Sequence, residues 1–221
     1  MAIKYLTFDC YGTLIDWKAG IEESFRKYFA LDIPEGNTKI FERYLALEMQ
    51  EEDTYKPYSD VLRDTSTKLA SSLGMDAPAG AGEKFAASIT TWASFPDTAA
   101  TLMRLGERGY KRVILSNIDR QLLEGTIANN NLEVDGFITA QDVKSYKPRE
   151  GHWLEFLKRY NASRESTLHV ANSIYHDIVP ACRMKIKTAW VNRYGERLPD
   201  GAQPDYIASG LSGLLEILAL A

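Results

Sequence analysis

The chain has 221 residues, with 26 Lys and Arg against 30 Asp and Glu for a formal net charge of −4. This length predicts one substantial domain with room for a smaller insert, and the lack of clustered basic residues excludes the electrostatic footprint of a nucleic-acid binder. With 45% apolar and 25% charged residues, the composition is that of a globular chain, not a disordered one.

In chain order, Ile3 to Phe8 reads as a short buried strand. No charged segment leading into a long apolar run precedes it, so a secretory leader is not expected. Cys10 and Cys182 lack the spacing of a zinc site and read as buried thiols, which fits a reducing, cytoplasmic location. The next strand-like run is Arg112 to Ser116, and the stretch before it is far longer than a compact crossover needs. Within that stretch Lys18 to Phe29, Thr38 to Met49, Ser59 to Leu73 and Glu83 to Trp92 show helical apolar spacing, broken by Pro34, Glu35 and Gly36 and again by Gly74 to Gly82. A helical cap is therefore expected over residues 16–94, inserted into a core formed by residues 1–15 and 95–221.

Further on, apolar runs at Phe137 to Thr139, Thr167 to Ala171 and Thr188 to Val191 alternate with helix-period segments at Asp97 to Arg108, Asp119 to Asn129, Glu150 to Tyr160 and Tyr175 to Met184. Such alternation predicts an α/β fold, a doubly wound parallel sheet with helices on both faces, and places the ligand site at the carboxyl ends of the strands. Arg193 to Tyr206, with Gly195, Pro199, Gly201 and Pro204, reads as a surface loop. Leu211 to Ala221 reads as a terminal amphipathic helix too short to span a bilayer, so no membrane partner is expected.

Chemistry enters with Phe8-Asp9-Cys10-Tyr11-Gly12-Thr13-Leu14, which sets a carboxylate at the carboxyl end of the first strand beside a glycine that lets the chain turn. An isolated Asp-x-x-Gly is more often a turn cap than a nucleophile. Three companions reverse that balance: Ile114-Leu115-Ser116-Asn117, Tyr146-Lys147-Pro148 and Ala171-Asn172-Ser173-Ile174-Tyr175-His176-Asp177. In this order, at the ends of expected strands, the four motifs resemble those of the haloacid dehalogenase superfamily. The resemblance implies a Rossmann-like core with a helical cap and Asp9 as nucleophile. It also implies that Lys147 supplies the counter-charge of a poorly solvated carboxylate, that Thr13 holds the second oxygen of Asp9, and that Asp177 is the acid/base for opening an ester intermediate.

Phosphatases of the superfamily carry an aspartate where this chain has Tyr11 and bind magnesium. A phenol with a pKa of about 10 is a poor substitute for a carboxylic acid near about 3.9 when a leaving alkoxide needs a proton. The Asp-x-Tyr-Gly-Thr-Leu pattern instead resembles the type II, L-2-haloacid branch, which needs no metal. No cofactor and no metal ligands are therefore expected, magnesium belonging only to the phosphatase alternative.

The same resemblance implies substrate contacts from Tyr11, Ser116 and Asn117, from Arg43 on the cap, and from Asn172 and Trp153, which stand where the branch carries serine and tyrosine. Trp17, Tyr55, Tyr58 and Trp92 read as cap core rather than substrate wall. Stretches such as Leu6 to Trp17 and Ile138 to Pro148 are also similar to dehalogenase-like hydrolases that open the ring of L-azetidine-2-carboxylate, in which the departing amine needs a proton from a group such as His176 or Tyr11. The expected activity is hydrolysis at the 2-carbon of a small 2-substituted carboxylic acid, with azetidine ring opening and small-phosphate hydrolysis as alternatives, and a non-catalytic binding module as the remaining class. The expected partners are a small-molecule carboxylic acid and, at most, a second copy of the chain as a homodimer.

Overall fold

Leu6 and Phe8 are fully buried in a strand, β1 (Tyr5–Phe8), that lies inside a six-stranded sheet with β2 (Lys111–Ser116), β3 (Gly136–Thr139), β4 (Thr167–Ala171), β5 (Lys187–Val191) and β6 (Tyr206–Ala208). The computed structural model describes residues 2–33 and 38–220, so the expected break at Pro34, Glu35 and Gly36 lies outside the described residues. The strand order is β3-β2-β1-β4-β5-β6 and every pair is parallel. Parallel strands buried on both faces read as near-continuous apolar runs, which is why Arg112 to Ser116 and Thr167 to Ala171 were legible. The direction of winding reverses at β1, with β2 on one side and β4 on the other, so the crevice outside Phe8 and Ala171 is the topological switch point.

Side-chain alternation along each strand feeds two cores. Val113 and Leu115 pack with Ile138, Trp153, Phe156 and Met184, whereas Ile114 joins Leu102, Leu105 and Leu123 on the opposite face. Leu102 and Leu105 come from α5 (Thr98–Glu107) and Leu123 from α6 (Arg120–Asn129) on one side, whereas on the other Trp153 and Phe156 come from α8 (Gly151–Arg159) and Met184 caps the end of α9 (Val179–Arg183). Each fully buried Leu, Ile or Phe contributes about 1.5–3 kcal/mol.

Four helices lie between β1 and α5: α1 (Trp17–Phe29), α2 (Thr38–Glu51), α3 (Tyr58–Ser72) and α4 (Ala81–Ser88), the last running into a 3-10 turn at Ile89–Thr91. Asp16 starts α1 by accepting the Ala19 N–H at 3.3 Å. An aromatic nucleus holds the helices together, with Phe25 and Phe85 ring centroids 4.9 Å apart and Phe25 and Phe29 5.0 Å apart. α3 follows Pro57, which offers no side-chain cap. Asp119, in the loop after β2, supplies it from across the molecule by accepting the N–H groups of Tyr58 at 3.0 Å and Ser59 at 2.9 Å. The end of the sheet and the helical segment are thus fastened at the site crevice.

Three local expectations change. Arg193 to Tyr206 is not simply a surface loop: Tyr206 begins β6, and the Arg193 side chain, 7% exposed, donates to the Thr13 carbonyl at 2.8 and 3.0 Å and to Asp97 at 2.9 Å. Tyr175 to Met184 divides into a π-helical turn at Ile174–Ile178 and the short α9. A short helix not expected from the sequence, α7 (Ala140–Val143), precedes the lysine motif, and the chain closes with a 3-10 turn at Leu211–Gly213 and α10 (Leu214–Leu220). Cys10 is buried and Cys182 half-buried, and both are free thiols. Among the described residues no helix is long and apolar enough to cross a membrane.

Candidate active site

Asp9 leaves the end of β1 and turns back at once. Gly12 adopts φ +99°, a conformation costly for any other residue, and a Cβ there would lie 3.0 Å from the Trp17 ring. The turn folds Thr13 onto the carboxylate: Thr13 Oγ1 donates to Asp9 Oδ2 at 2.7 Å and accepts the Asn172 N–H at 2.9 Å. Asp9 is 8% exposed. Burial pushes its carboxyl up, with Lys147 and Thr13 opposing and Asp177 adding to the rise.

Lys147 is 2% exposed, and its ammonium uses all three protons: Nζ donates to Asp9 Oδ1 at 2.9 Å, to Asp177 Oδ1 at 2.6 Å and to the Leu115 carbonyl at 2.9 Å. Burial opposes its charge, but the two carboxylates outweigh that and raise its pKa further. Asp177 is 1% exposed. Burial alone would push it up, yet Lys147 and the bond from His169 hold it at about 2, so it stays ionised. His169 Nε2 donates to Asp177 Oδ1 at 3.0 Å, and its Nδ1 meets Thr7 Oγ1 at 2.9 Å. The other oxygen, Asp177 Oδ2, is buried without a hydrogen-bond partner among the described residues.

The remaining expected residues divide. Tyr11, Ser116, Asn117 and Asn172 line a cavity of about 540 Å³ together with Asp9, Lys147 and Asp177. The Tyr11 phenol, raised well above its usual range by burial, is bonded to Thr126 Oγ1 at 2.7 Å. Asn117 acts on the main chain of Lys147, and Asn172 Nδ2 donates to the Val191 carbonyl at 3.0 Å. Two expectations are corrected. Arg43 is exposed and does not line the cavity, because α2 turns Phe41, Tyr44, Leu45 and Glu48 inward at helical spacing and leaves position 43 on the outer face. Trp153 is fully buried in the core beneath the sheet, edge-on to His169 at 5.2 Å, and is not in the cavity wall. Trp17, Tyr58 and Trp92 line the cavity as well as packing the helices, whereas Tyr55 stacks on Tyr146.

Several residues that support the site or line its cavity are not singled out by the sequence. His169 sits mid-strand in an apolar run and carried no site signal. Tyr194, Glu196, Arg197 and Pro199 come from the segment after β5, and Lys18 Nζ lies 3.6 Å from the Tyr194 ring centroid, joining α1 to that segment. Glu48 and Glu52 were legible in principle, since they continue the inward stripe of Phe41 and Tyr44 where apolar residues are normal. Among the described residues no group of three or more His, Cys, Asp and Glu is arranged to hold a metal ion.

Comparison with known proteins agrees with this architecture. Haloacetate dehalogenase H-2 of Moraxella sp. (strain B) is 21% identical over 225 residues, covering 99% of each chain. The (S)-2-haloacid dehalogenase of Pseudomonas sp. (strain YL) is 25% identical over 230 residues, covering 99% of this chain and 96% of its own. The structure of L-2-haloacid dehalogenase from Xanthobacter autotrophicus with chloropropionic acid covalently bound superposes with a TM-score of 0.85 at 20% identity over 98% of each chain, a likeness of fold. The model of the haloacid dehalogenase-like hydrolase family matches residues 3–181, and the chain belongs to that family of hydrolases.

Proposed function

We propose that the chain hydrolyses a small 2-substituted carboxylic acid at its 2-carbon through an ester on Asp9, with residues 16–94 acting as the cap over the reacting group. The observation that carries this reading is the single ammonium of Lys147 bridging Asp9 and Asp177, while Thr13 holds the second oxygen of Asp9. A carboxylate can attack saturated carbon only when it is ionised and not wrapped in water, and a buried cation with one hydroxyl donor meets both conditions. The names of the two relatives support a halide as leaving group.

In the first step an Asp9 oxygen bonds to carbon 2 as the carbon–halogen bond breaks and halide departs with the electron pair. Water then adds to the carbonyl carbon of the ester, passing a proton toward the free oxygen of Asp177, which faces no other donor. The bond from that carbon to the substrate oxygen breaks, the released alkoxide takes the proton to give a 2-hydroxy acid, the second water proton goes to solvent, and Asp9 is again a carboxylate. Ser116 and the backbone around Tyr11 are the core groups available to the substrate carboxylate.

Metal-free operation is part of this proposal. The Lys147 ammonium takes the position between Asp9 and Asp177 that a shared cation would need, and Tyr11, bound to Thr126, replaces the second carboxylate of a phosphatase. The test is intact mass of Asp177→Asn protein after incubation with 2-haloacids, azetidine-2-carboxylate and small phosphates. An adduct of the acid lacking its leaving group, on the peptide containing Asp9, is expected. A phosphoryl adduct, or turnover by the wild type with no adduct in the variant, would overturn it.

A further inference from the structure

His169 is fully buried in the middle of β4, lies outside the cavity wall, and takes no part in the two chemical steps above. Its imidazole is nevertheless tied at both ends. Asp177 is ionised and can only accept, so His169 Nε2, 3.0 Å from Asp177 Oδ1, carries a hydrogen. In the neutral ring Nδ1 is then an acceptor, and the parallel register of β1 and β4 sets Thr7 directly beside it, with Thr7 Oγ1 at 2.9 Å. Trp153 closes a third side, its ring edge-on at 5.2 Å and inclined 76° to the imidazole.

The two oxygens of Asp177 are treated unequally. Oδ1 receives Lys147 Nζ at 2.6 Å and His169 Nε2 at 3.0 Å, whereas Oδ2 has no donor among the described residues. Two donors on one oxygen fix the plane of the carboxylate, and the ammonium alone would leave it free to pivot. That pivot matters most after Asp9 has reacted. In the free enzyme Lys147 is shared between two carboxylates, but an esterified Asp9 has lost its charge and leaves Asp177 as the carboxylate partner of the ammonium. Held by Lys147 only, Asp177 would swing to offer it both oxygens, and Oδ2 would be withdrawn from the attacking water.

We propose that His169, set in place by Thr7 and Trp153, is a positioning residue for hydrolysis of the ester: it holds Asp177 by Oδ1 so that Oδ2 stays turned to the water. This rests on the Asp9 ester described above and adds to it that the two steps answer differently to one buried side chain. Ester formation does not need the imidazole, because Asp9 is held for attack by Lys147 and Thr13 and has no bond to His169. Water addition does need it, because a general base must stay within hydrogen-bond reach of the proton it takes. Trp153 thus bears on the chemistry from beneath the sheet, as the wall behind the ring that orients Asp177.

The test is single-turnover kinetics of the full chain, in excess over L-2-chloropropanoate, with chloride release reporting the first step and the 2-hydroxy acid the second. Wild type is compared with His169→Leu, His169→Gln and Thr7→Val, each checked for folding by circular dichroism. In His169→Leu, chloride release is expected to stay within about threefold of wild type while ester hydrolysis falls by about 100-fold, so that an adduct accumulates on the Asp9 peptide. Glutamine, whose amide nitrogen reaches the place of Nε2, should bring hydrolysis back to within about tenfold of wild type. Thr7→Val should slow hydrolysis selectively but less, and with the glutamine variant it carries the test if the leucine variant does not fold. Equal slowing of both steps, hydrolysis unchanged in every variant, or glutamine no better than leucine would overturn the proposal. A wild type that releases no chloride and forms no ester would overturn the Asp9 reading itself, and this inference with it.

Discussion

Asn117 grips the main chain of Lys147 from both sides: its Oδ1 accepts the Lys147 N–H at 2.7 Å and its Nδ2 donates to the Lys147 carbonyl at 3.1 Å. The asparagine of the second motif is therefore a positioning residue for the lysine of the third, and through it for Asp9. Asn117→Ala should lower kcat by roughly 10–100-fold, the cost of misplacing a reacting group by a fraction of an ångström to an ångström. Because Asp9 would lose part of its counter-charge, the acid limb of the pH–rate profile should move to higher pH. A fall in rate with an unmoved acid limb would show that Asn117 acts on substrate alone.

Removing the ammonium itself is harsher. Lys147→Met leaves Asp9 and Asp177 buried without a cation, at a cost of about 3–5 kcal/mol at pH 7. Both carboxyls would then titrate above their unfolded values, so the folded state binds more protons than the unfolded one and stability falls as pH rises. Urea denaturation should find a smaller deficit relative to wild type at pH 5 than at pH 8, and a deficit independent of pH would argue against the bridge.

His152 offers a test of the opposite sign. It is fully buried, its Nε2 pairs with the Ser116 carbonyl at 3.0 Å, and burial, helped by Lys147, pushes it down to about 3. Between its unfolded value of about 6.5 and that folded value, only the unfolded chain takes up the proton. The stability this neutral ring contributes is complete above about pH 6.5 and is lost as pH falls, by up to about 1.4 kcal/mol per unit. His152→Gln, which keeps a donor for Ser116, should flatten the drop in urea midpoint between pH 7 and pH 5.

How far the sequence led is clearest where residues do two jobs. The parallel strands and the turn at Asp9 were legible because buried strands leave unbroken apolar runs and a sharp turn leaves a glycine. Lys147 and Asp177 were found through motif order, since nothing local distinguishes Lys147 from a solvated lysine. Arg43 failed because charge attracted attention that belonged to face: the inward stripe of the helix runs through Phe41, Tyr44, Glu48 and Glu52 and points away from position 43. Trp153 failed because correspondence along the chain does not say which side of the sheet a side chain occupies. The short β6 and the anchoring of Arg193 depend on long-range bonds to Val191, Thr13 and Asp97 that no window of sequence contains.

Chelation bears on the lysine bridge from another direction. With Lys147 between the two carboxylates, prolonged treatment with EDTA followed by assay in metal-free buffer should leave the rate of 2-haloacid hydrolysis unchanged. Strict dependence on added magnesium would favour phosphoryl chemistry.

The covalent role of Asp9 is tested most directly by hydrolysing the substrate in heavy-oxygen water with enzyme in excess, then measuring the mass of the peptide Thr7 to Leu14. Because water attacks the Asp9 carbonyl of the ester, the label should enter the Asp9 carboxylate first, and the product of that first turnover should carry ordinary oxygen taken from Asp9. A first-turnover product that carries the heavy oxygen, with an unlabelled Asp9 peptide, would mean that water attacks carbon 2 directly and that no ester forms.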